Sequence, residues 1–146
     1  MTRPVVVDAN IMVKWFVPEE YSREADALLD DHLDARVRVV APSYALVEFT
    51  NALRKYAVRQ IIDRGTVEEA LSMLLEMDIE FRGVDQGLVK DALRYALDKG
   101  ITVYDAYYIV FARAIGAVFY TADEKLLRRL AGGEPIARHI AWYVSQ

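Results

Sequence analysis

The stretch TVYDAYYIVFARAIGAVFYTAD, residues 102–123, decides the fold class of this chain. Its first half, before Gly116, is almost wholly apolar and holds one acid, Asp105, and one base, Arg113. A helix of that composition is buried on nearly all sides. The apolar run at 117–120 then predicts a buried strand directly behind the helix. A buried helix followed by a buried strand indicates a layered α/β fold.

The rest of the chain alternates between strand and helix patterns in the same way. Short apolar runs predict strands at 5–7 and 37–41, a weaker one at 79–81 and an edge strand within 136–144. Apolar residues at three- and four-residue spacing predict helices at 10–17, 20–34, 43–56, 66–75, 86–98 and 123–130. We therefore predict one α/β domain over residues 1–146, an open parallel sheet of about four to five strands flanked by helices.

Three helix ends carry residues that are typical of caps. Ser43 is expected to cap the helix that follows it, and Thr66 to form a capping box with Glu69. Gly100 is expected to end the helix before it.

Two leucines and two histidines also receive specific predictions. Leu33 and Leu75 are expected to face inward with the other apolar residues of their helices. His32 is predicted to lie at a solvated helix end and His139 to be structural, because the two do not form a recognisable ligand pair.

Composition excludes several classes of protein. The 146 residues contain no cysteine, which excludes disulfides, thiolate zinc sites and cysteine nucleophiles. No apolar run is long enough to span a membrane and no signal-peptide core is present, so we expect a soluble, cytoplasmic protein with no membrane association. A net charge of −4 argues against non-specific DNA coating. An acidic cluster that holds cations would itself produce such a charge.

Four acids occupy unusual places in this pattern. Asp8 and Asp123 directly follow predicted strands, and ligands of parallel sheets bind beyond the carboxyl ends of strands. Glu48, within ALVEFTNAL, and Asp105 lie on helices in markedly apolar company. If these side chains converge, they form an acidic site.

Each aspartate also has a local interpretation. Asp8 can cap the short helix after it, Asp105 is in capping-box spacing with Thr102, and Asp123 lies at a helix start. Thr121 and Glu124 can form a further capping box there. For any single aspartate capping is the commoner role, whereas Glu48, in mid-helix, has no such role.

The four acids together favour a metal site. Carboxylates gathered in a semi-buried cleft repel one another and lose hydration, and a hard divalent cation relieves both costs. Oxygen ligands without thiolate favour Mg²⁺ or Mn²⁺ over zinc.

Three segments in order resemble the PIN-domain family, and most closely its single-domain VapC-type toxins. They are VVVDANIMVKWFVPEEYSREA, APSYALVEFTNAL and ITVYDAYYIVFARAIGAVFYTADEKL. The resemblance runs along essentially the whole chain, and the family's fold agrees with the predicted open parallel sheet. It implies a Mg²⁺- or Mn²⁺-dependent endoribonuclease that leaves a 5′-phosphate and a 3′-hydroxyl. It also implies two protein partners, a cognate antitoxin and a second copy in a homodimer.

Residue by residue, the resemblance maps the family's catalytic and metal-binding acids onto this chain. These are Asp8, Glu48, Asp105 and Asp123, with Asn10 and Thr121 as supporting residues. Ala9 departs from the Thr or Ser that many members carry directly after the first aspartate.

Candidate RNA contacts are the basic residues that follow or flank these motifs: Lys14, Arg54, Lys55, Arg59 and Arg113. Any single one of them is more often an ordinary surface residue. Trp15 and Phe16 can stack on a base, but their helical spacing near the sheet edge favours packing in the core or at an interface.

Three alternatives stay open at this point. The chain can be a non-catalytic PIN-like module that binds RNA or protein, or an RNA-processing nuclease rather than a toxin. Receiver domains and haloacid-dehalogenase-like phosphatases also use acidic pockets. The latter require D-x-D after the first strand, where this chain has Asn10, and the helical Glu48 and Asp105 fit neither class.

Overall fold

The structure is a computed structural model that describes residues 2–131 and 133–146. Within these residues, five parallel strands form one sheet in the order β3-β2-β1-β4-β5. They are β1 (Arg3–Val7), β2 (Val37–Pro42), β3 (Glu80–Arg82), β4 (Val118–Thr121) and β5 (Ala137–His139). The predicted open parallel α/β sheet is confirmed.

Seven α-helices of the described residues connect and cover these strands. They are α1 (Ala9–Lys14), α2 (Ser22–Leu33), α3 (Tyr44–Val58), α4 (Arg64–Leu75), α5 (Gln86–Lys99), α6 (Val103–Ala114) and α7 (Glu124–Arg129). A short 3₁₀ turn, Ile140–Trp142, follows β5. None of these helices combines the length and apolar composition needed to cross a bilayer.

The apolar runs identified in the sequence form the centre of the core. Val5, Val6 and Val7 of β1 are each 0% exposed, as expected for the middle strand of a sheet covered on both faces. In α6, every residue from Ala106 to Ala112 is buried, and this helix packs across β1, β2 and β4. Each large apolar side chain buried in this way contributes about 1.5–3 kcal/mol.

The strand order creates a switch point beside β1. The chain adds β2 and β3 on one side of β1, then returns through α5 and α6 to place β4 on the other side. In the register of β1 and β4, Val5 lies opposite Val118 and Val7 opposite Tyr120. Both strands therefore end at the same edge, where open α/β sheets bind their ligands.

One predicted helix cap, Thr66, is wrong, and a second, Ser43, lies at the N-cap position of α3 but makes no capping bond. The cap of α4 is Asp63, whose carboxylate accepts hydrogen bonds from the Thr66 amide at 2.9 Å and the Thr66 hydroxyl at 3.0 Å. An aspartate three residues ahead thus takes the capping role that the pattern assigned to Thr66. Ser43 has helical backbone angles, φ −60° and ψ −28°, and its side chain makes no capping bond. Gly100 ends α5 in the left-handed conformation, as predicted.

Three predictions about the exposure of single side chains, Leu33, Leu75 and His32, are wrong. Leu33 and Leu75 are each 57% exposed, since both lie at the last turn of their helices, beyond the packed face. His32 is not at a solvated helix end. Its Nδ1 accepts from the Val39 amide at 3.0 Å, so Nε2 carries the proton and donates to the Met77 carbonyl at 2.7 Å. His32 therefore joins α2 to β2.

The last strand is confirmed in place but is shorter than predicted. β5 pairs with β4 at the sheet edge and covers only Ala137–His139 before the chain turns into the 3₁₀ segment. His139 is structural, as expected: its Nδ1 accepts from the Ala141 amide at 2.9 Å and caps that turn.

Candidate active site

The four acids singled out in the sequence line one cleft of about 230 Å³ at the carboxyl edge of β1 and β4. They come from four separate segments: the ends of the two strands, the middle of α3 and the first turn of α6. The remaining polar lining consists of Asn10, Asn51, Lys55 and Tyr108. The topology thus brings together carboxylates that lie far apart in the sequence.

Asp8 is held on both of its carboxylate oxygens. It caps α1 by accepting from the Ile11 amide at 3.1 Å, which confirms its local interpretation. Its second oxygen accepts from the Thr121 hydroxyl at 2.6 Å. Thr121 is fully buried, and its hydroxyl oxygen also accepts from the Asp123 amide at 3.1 Å. One threonine therefore ties together the two acidic strand ends.

Glu48 is positioned by a tyrosine from another helix. The Tyr108 hydroxyl donates to Glu48 Oε1 at 2.8 Å. The Tyr108 ring is buried, stacks on Phe119 at 5.2 Å between centroids and contacts the Tyr44 ring edge-on at 5.3 Å. Because the ring is packed on both sides, its hydroxyl is a fixed donor that orients the Glu48 carboxylate.

Asp105 and Asp123 combine capping positions with a place in the cleft. The Asp105 amide donates to the hydroxyl of Thr102, the N-cap of α6, at 3.1 Å. Asp123 itself caps α7, accepting from the Leu126 amide at 2.9 Å. The capping box expected between Thr121 and Glu124 is therefore wrong, because Asp123 takes the capping position. Capping and cleft lining do not exclude each other.

Three of the cleft acids, Asp8, Glu48 and Asp105, have raised pKa values, and burial is the largest cause in each. Burial, together with the negative charges of Asp105 and Glu48, raises the pKa of Asp8 to about 6, against the hydrogen bonds from Thr121 and Ile11. Burial and Asp105 raise the pKa of Glu48, against the Tyr108 hydrogen bond, and burial and Asp123 raise the pKa of Asp105. The cleft holds more negative charge than its own donors offset.

This donor set fits a hard divalent cation. It consists of carboxylate, amide and hydroxyl oxygens without sulfur, and its carboxylates disfavour one another's ionised forms. Among residues 2–131 and 133–146, no three acidic or histidine side chains are already gathered into a metal-sized cluster. The acids line the cleft rather than forming a tight, ready-made ligand shell.

The five basic candidates are dispersed, and only Lys55 lines the acidic cleft. Lys14 lies beside it, but its side chain is only 9% exposed and its Nζ is paired with Glu19 Oε1 at 3.4 Å. Arg113 forms an ion pair with Glu134 under the Tyr95 ring.

The other two basic candidates lie on α3. Arg54 donates to Asn51 Oδ1 at 2.9 Å and borders an apolar groove between α3 and α4. Arg59 is exposed at the end of α3, outside the cleft lining.

Trp15 and Phe16 pack in the core, as preferred from their spacing. The Trp15 indole donates to the Ala25 carbonyl at 2.9 Å, and the Phe16 ring contacts Phe49 edge-on at 5.6 Å. The sequence analysis did not identify two cleft residues, Tyr108 and Asn51. Each lies three positions after an identified acid on the same helix, which is the spacing that places residues on one face.

Several solved structures share this fold. PAE2754 from Pyrobaculum aerophilum has a TM-score of 0.71 at 23% identity, covering 96% of this chain and 85% of that one. A chain of a toxin–antitoxin complex from Klebsiella pneumoniae has a TM-score of 0.69 at 16% identity, covering 93% and 97%. A chain of VapBC2 from Rickettsia felis, bound to a promoter DNA fragment, has a TM-score of 0.66 at 15% identity, covering 93% and 98%.

Sequence similarity identifies the family directly. Residues 5–133 match the PIN domain. Ribonuclease VapC3 of Pyrobaculum aerophilum is 32% identical over 129 residues, covering 86% of this chain and 93% of the relative. Exonuclease VapC9 of the same organism is 30% identical over 122 residues, covering 80% and 90%. With its fold, its acidic cleft and these matches in agreement, this chain belongs to the PIN-domain family.

Proposed function

We propose that this protein is a metal-dependent endoribonuclease and the toxin of a type II toxin–antitoxin pair. The observation that carries the proposal is the convergence of four carboxylates from distant segments in one cleft at the sheet's switch point. The relatives named Ribonuclease VapC3 and Exonuclease VapC9 support nuclease chemistry.

In this proposal Asp8, Glu48, Asp105 and Asp123 hold Mg²⁺ or Mn²⁺. Such an ion, when bound, lowers the pKa of water at the site and stabilises negative charge on the attacked phosphate. Thr121 orients Asp8 through its hydroxyl, and Tyr108 orients Glu48 in the same way. Each of these donors holds one oxygen of its carboxylate in place.

The proposed reaction is hydrolysis of an RNA phosphodiester. A water oxygen attacks phosphorus and the bond from phosphorus to the 3′ oxygen breaks, leaving a 5′-phosphate and a 3′-hydroxyl. The cleft lining contains no histidine, serine or cysteine, which is consistent with water as the nucleophile. Asn10, Asn51 and Lys55 supply the polar contacts to substrate within the cleft.

The proposed protein partners are a cognate antitoxin and a second copy of this chain. Two structures with the same fold, from Klebsiella pneumoniae and Rickettsia felis, belong to toxin–antitoxin proteins. Expression of the toxin should arrest growth only while Asp105 is intact, which distinguishes a toxin from an RNA-processing nuclease.

The decisive experiment incubates the purified protein with circular RNA, linear RNA and DNA of the same sequence, in Mg²⁺, Mn²⁺ or EDTA. We expect the metal to permit opening of the RNA circle, EDTA to abolish it, and Asp105→Asn to slow it by at least about 100-fold. Asp30→Asn, which makes the same charge change at an exposed position on α2, is the control.

Each other outcome has a specific meaning. Cleavage of linear but not circular RNA would favour an exonuclease, the activity in the name of VapC9. Cleavage that survives both EDTA and Asp105→Asn would refute the metal site. Absence of cleavage with every metal would favour the non-catalytic module.

A further inference from the structure

We propose that the pocket adjoining the acidic cleft is a nucleotide subsite in which Lys125 and Arg129 bind an RNA backbone phosphate next to the one that is cleaved. This inference rests on the proposed nuclease function and identifies part of the surface that holds its substrate. Neither residue was among the basic residues proposed from the sequence as RNA contacts.

The pocket is continuous with the acidic cleft. It lies between the turn that joins α5 to α6 and helix α7, and it measures about 310 Å³. Asp105 and Asp123 line both cavities, so the pocket lies within reach of a strand that is bound at the acids. The volume is at the lower end of the range of about 300–1,000 Å³ for small-ligand sites.

The positive charge in the pocket comes from one face of α7. Lys125 and Arg129 are four residues apart, a spacing that places both side chains on the same side of the helix. Neither forms an ion pair with any acid in the described part of the chain. Arg129 donates one hydrogen bond to the Gly100 carbonyl at 3.0 Å, which anchors the guanidinium while its other N–H groups remain for a ligand.

The remaining lining suits the sugar and base of a nucleotide. Ile101 and Leu126 provide an apolar surface. The Thr102 hydroxyl accepts from the Asp105 amide, so its hydrogen is free to donate to a phosphate or sugar oxygen. The pocket thus combines two cations, one hydroxyl donor and an apolar wall.

A nuclease with this cleft needs such a cationic subsite. Four carboxylates repel the phosphates that flank a scissile bond, and a net charge of −4 gives no general attraction for RNA. Lys14 and Arg113, two cations proposed from the sequence, are paired with Glu19 and Glu134. Lys125 and Arg129 therefore supply charge at the place where the substrate strand passes.

The test measures binding of a fluorescent single-stranded RNA by anisotropy at several salt concentrations. The parent is Glu48→Gln, which slows cleavage and leaves the lining of this pocket unchanged. Lys125→Ala and Arg129→Ala are compared with Arg128→Ala, which removes the same charge from an exposed position of the same helix outside the pocket lining. The same substitutions in the otherwise unmodified enzyme give KM and kcat.

We expect Lys125→Ala and Arg129→Ala each to raise Kd and KM about fivefold, to lower kcat less, and to reduce the salt slope by about 0.7. Arg128→Ala should change Kd by less than about twofold. Equal effects at all three positions, or unchanged binding in Lys125→Ala, would overturn the subsite. Lys125 makes no ion pair in the described residues, so its substitution tests binding even if loss of the Arg129 bond to Gly100 perturbs the turn.

The subsite and the proposed function fail in different ways. Cleavage that is insensitive to Lys125 would refute the subsite and leave the nuclease intact. Lys125-dependent RNA binding without cleavage in any metal would refute the nuclease and leave the subsite. An enzyme that neither binds nor cleaves RNA would refute both.

Discussion

Asp31 on α2 and Asp8 at the end of β1 are both carboxylates withdrawn from solvent. Hydrogen-bond donors and a positive charge surround Asp31, whereas other acids lie near Asp8. Asp31 is 0% exposed and accepts from the Tyr143 hydroxyl and, at 2.8 Å, from the Gln146 amide, with Arg36 at 3.5 Å. Burial alone would raise its pKa, but these donors and the positive charge outweigh burial and lower the pKa. Asp31 holds a buried charge that the fold satisfies.

Asp8 has two donors of its own, yet its further neighbours are acids. Burial, Asp105 and Glu48 raise its pKa despite the hydrogen bonds from Thr121 and Ile11. The pKa of a carboxylate withdrawn from solvent therefore depends on whether donors or other acids surround it. A carboxylate whose donors outweigh the cost of burial stabilises the folded protein. A carboxylate with acidic neighbours lowers the free energy of unfolding, and a bound cation offsets that cost.

The largest effect on stability is expected at Asp31. Asp31→Asn removes the charge that Tyr143, Gln146 and Arg36 stabilise and replaces one acceptor oxygen with a donor, which should cost about 3 kcal/mol of unfolding free energy at pH 7. Denaturant unfolding measures this loss, with Asp30→Asn, the exposed neighbour, as the control. Nuclease activity of the folded fraction should be unchanged.

The pH dependence of this loss has a definite sign. Because the pKa of Asp31 is lowered on folding, its stabilisation is present above the unfolded pKa of about 3.9 and is lost as the pH falls through the folded pKa. The difference between Asp31→Asn and the parent should therefore shrink on acidification below about pH 4. A difference that stays constant would show that packing, and not the charge, is responsible.

A smaller effect, on activity, is expected at Tyr108. Tyr108→Phe keeps the stacked ring but removes the donor that orients Glu48, so activity should fall about tenfold and the Mg²⁺ requirement should rise. Unfolding free energy should change by less than about 1 kcal/mol. Tyr107→Phe is the matched control, because the Tyr107 hydroxyl accepts from the Asp85 amide away from the cleft. Equal losses in both variants would assign the effect to helix packing.

The smallest effect should have the opposite sign to that at Asp31. In EDTA at pH 7.5, Asp8→Asn should stabilise the protein, because it removes a charge that burial and neighbouring acids disfavour. A shift from 3.8 to about 6 corresponds to roughly 3 kcal/mol, but Asp8 is only partly buried and solvent screens its charge, so we expect about 1 kcal/mol. The folded pKa near 6 lies above the unfolded value of 3.8, so the parent regains this stability as the pH falls through 6. The gap between variant and parent should therefore close by about pH 4.

Denaturant unfolding at pH 7.5 and pH 4.5 measures this gap. Destabilisation of the metal-free Asp8→Asn protein at pH 7.5 would place Asp8 with Asp31 among the structural carboxylates. The charges of Asp8 and Asp31 would then affect the free energy of unfolding in the same direction.

Much of this site could be predicted because local chemistry constrains it. The valines of β1 and the apolar helix α6 are buried by composition alone, and parallel strands present their ends at one edge. Asp8 and Asp123 therefore had to lie near each other once β1 and β4 were neighbours. The errors at Thr66 and Leu75, and the missing capping bond of Ser43, fall at helix ends, where several nearby residues compete for one role.

The sequence by itself determined the alternation of buried strands and helices, and with it the edge at which Asp8 and Asp123 are placed. Only the tertiary structure decided which neighbours surround each carboxylate, and therefore whether its pKa is raised or lowered. Thr121 reaches Asp8 across 113 residues and Tyr143 reaches Asp31 across 112, distances over which local pattern carries no information. Periodicity places a side chain on a face, but the neighbours that set its ionisation and its partners come from packing between elements remote in the chain.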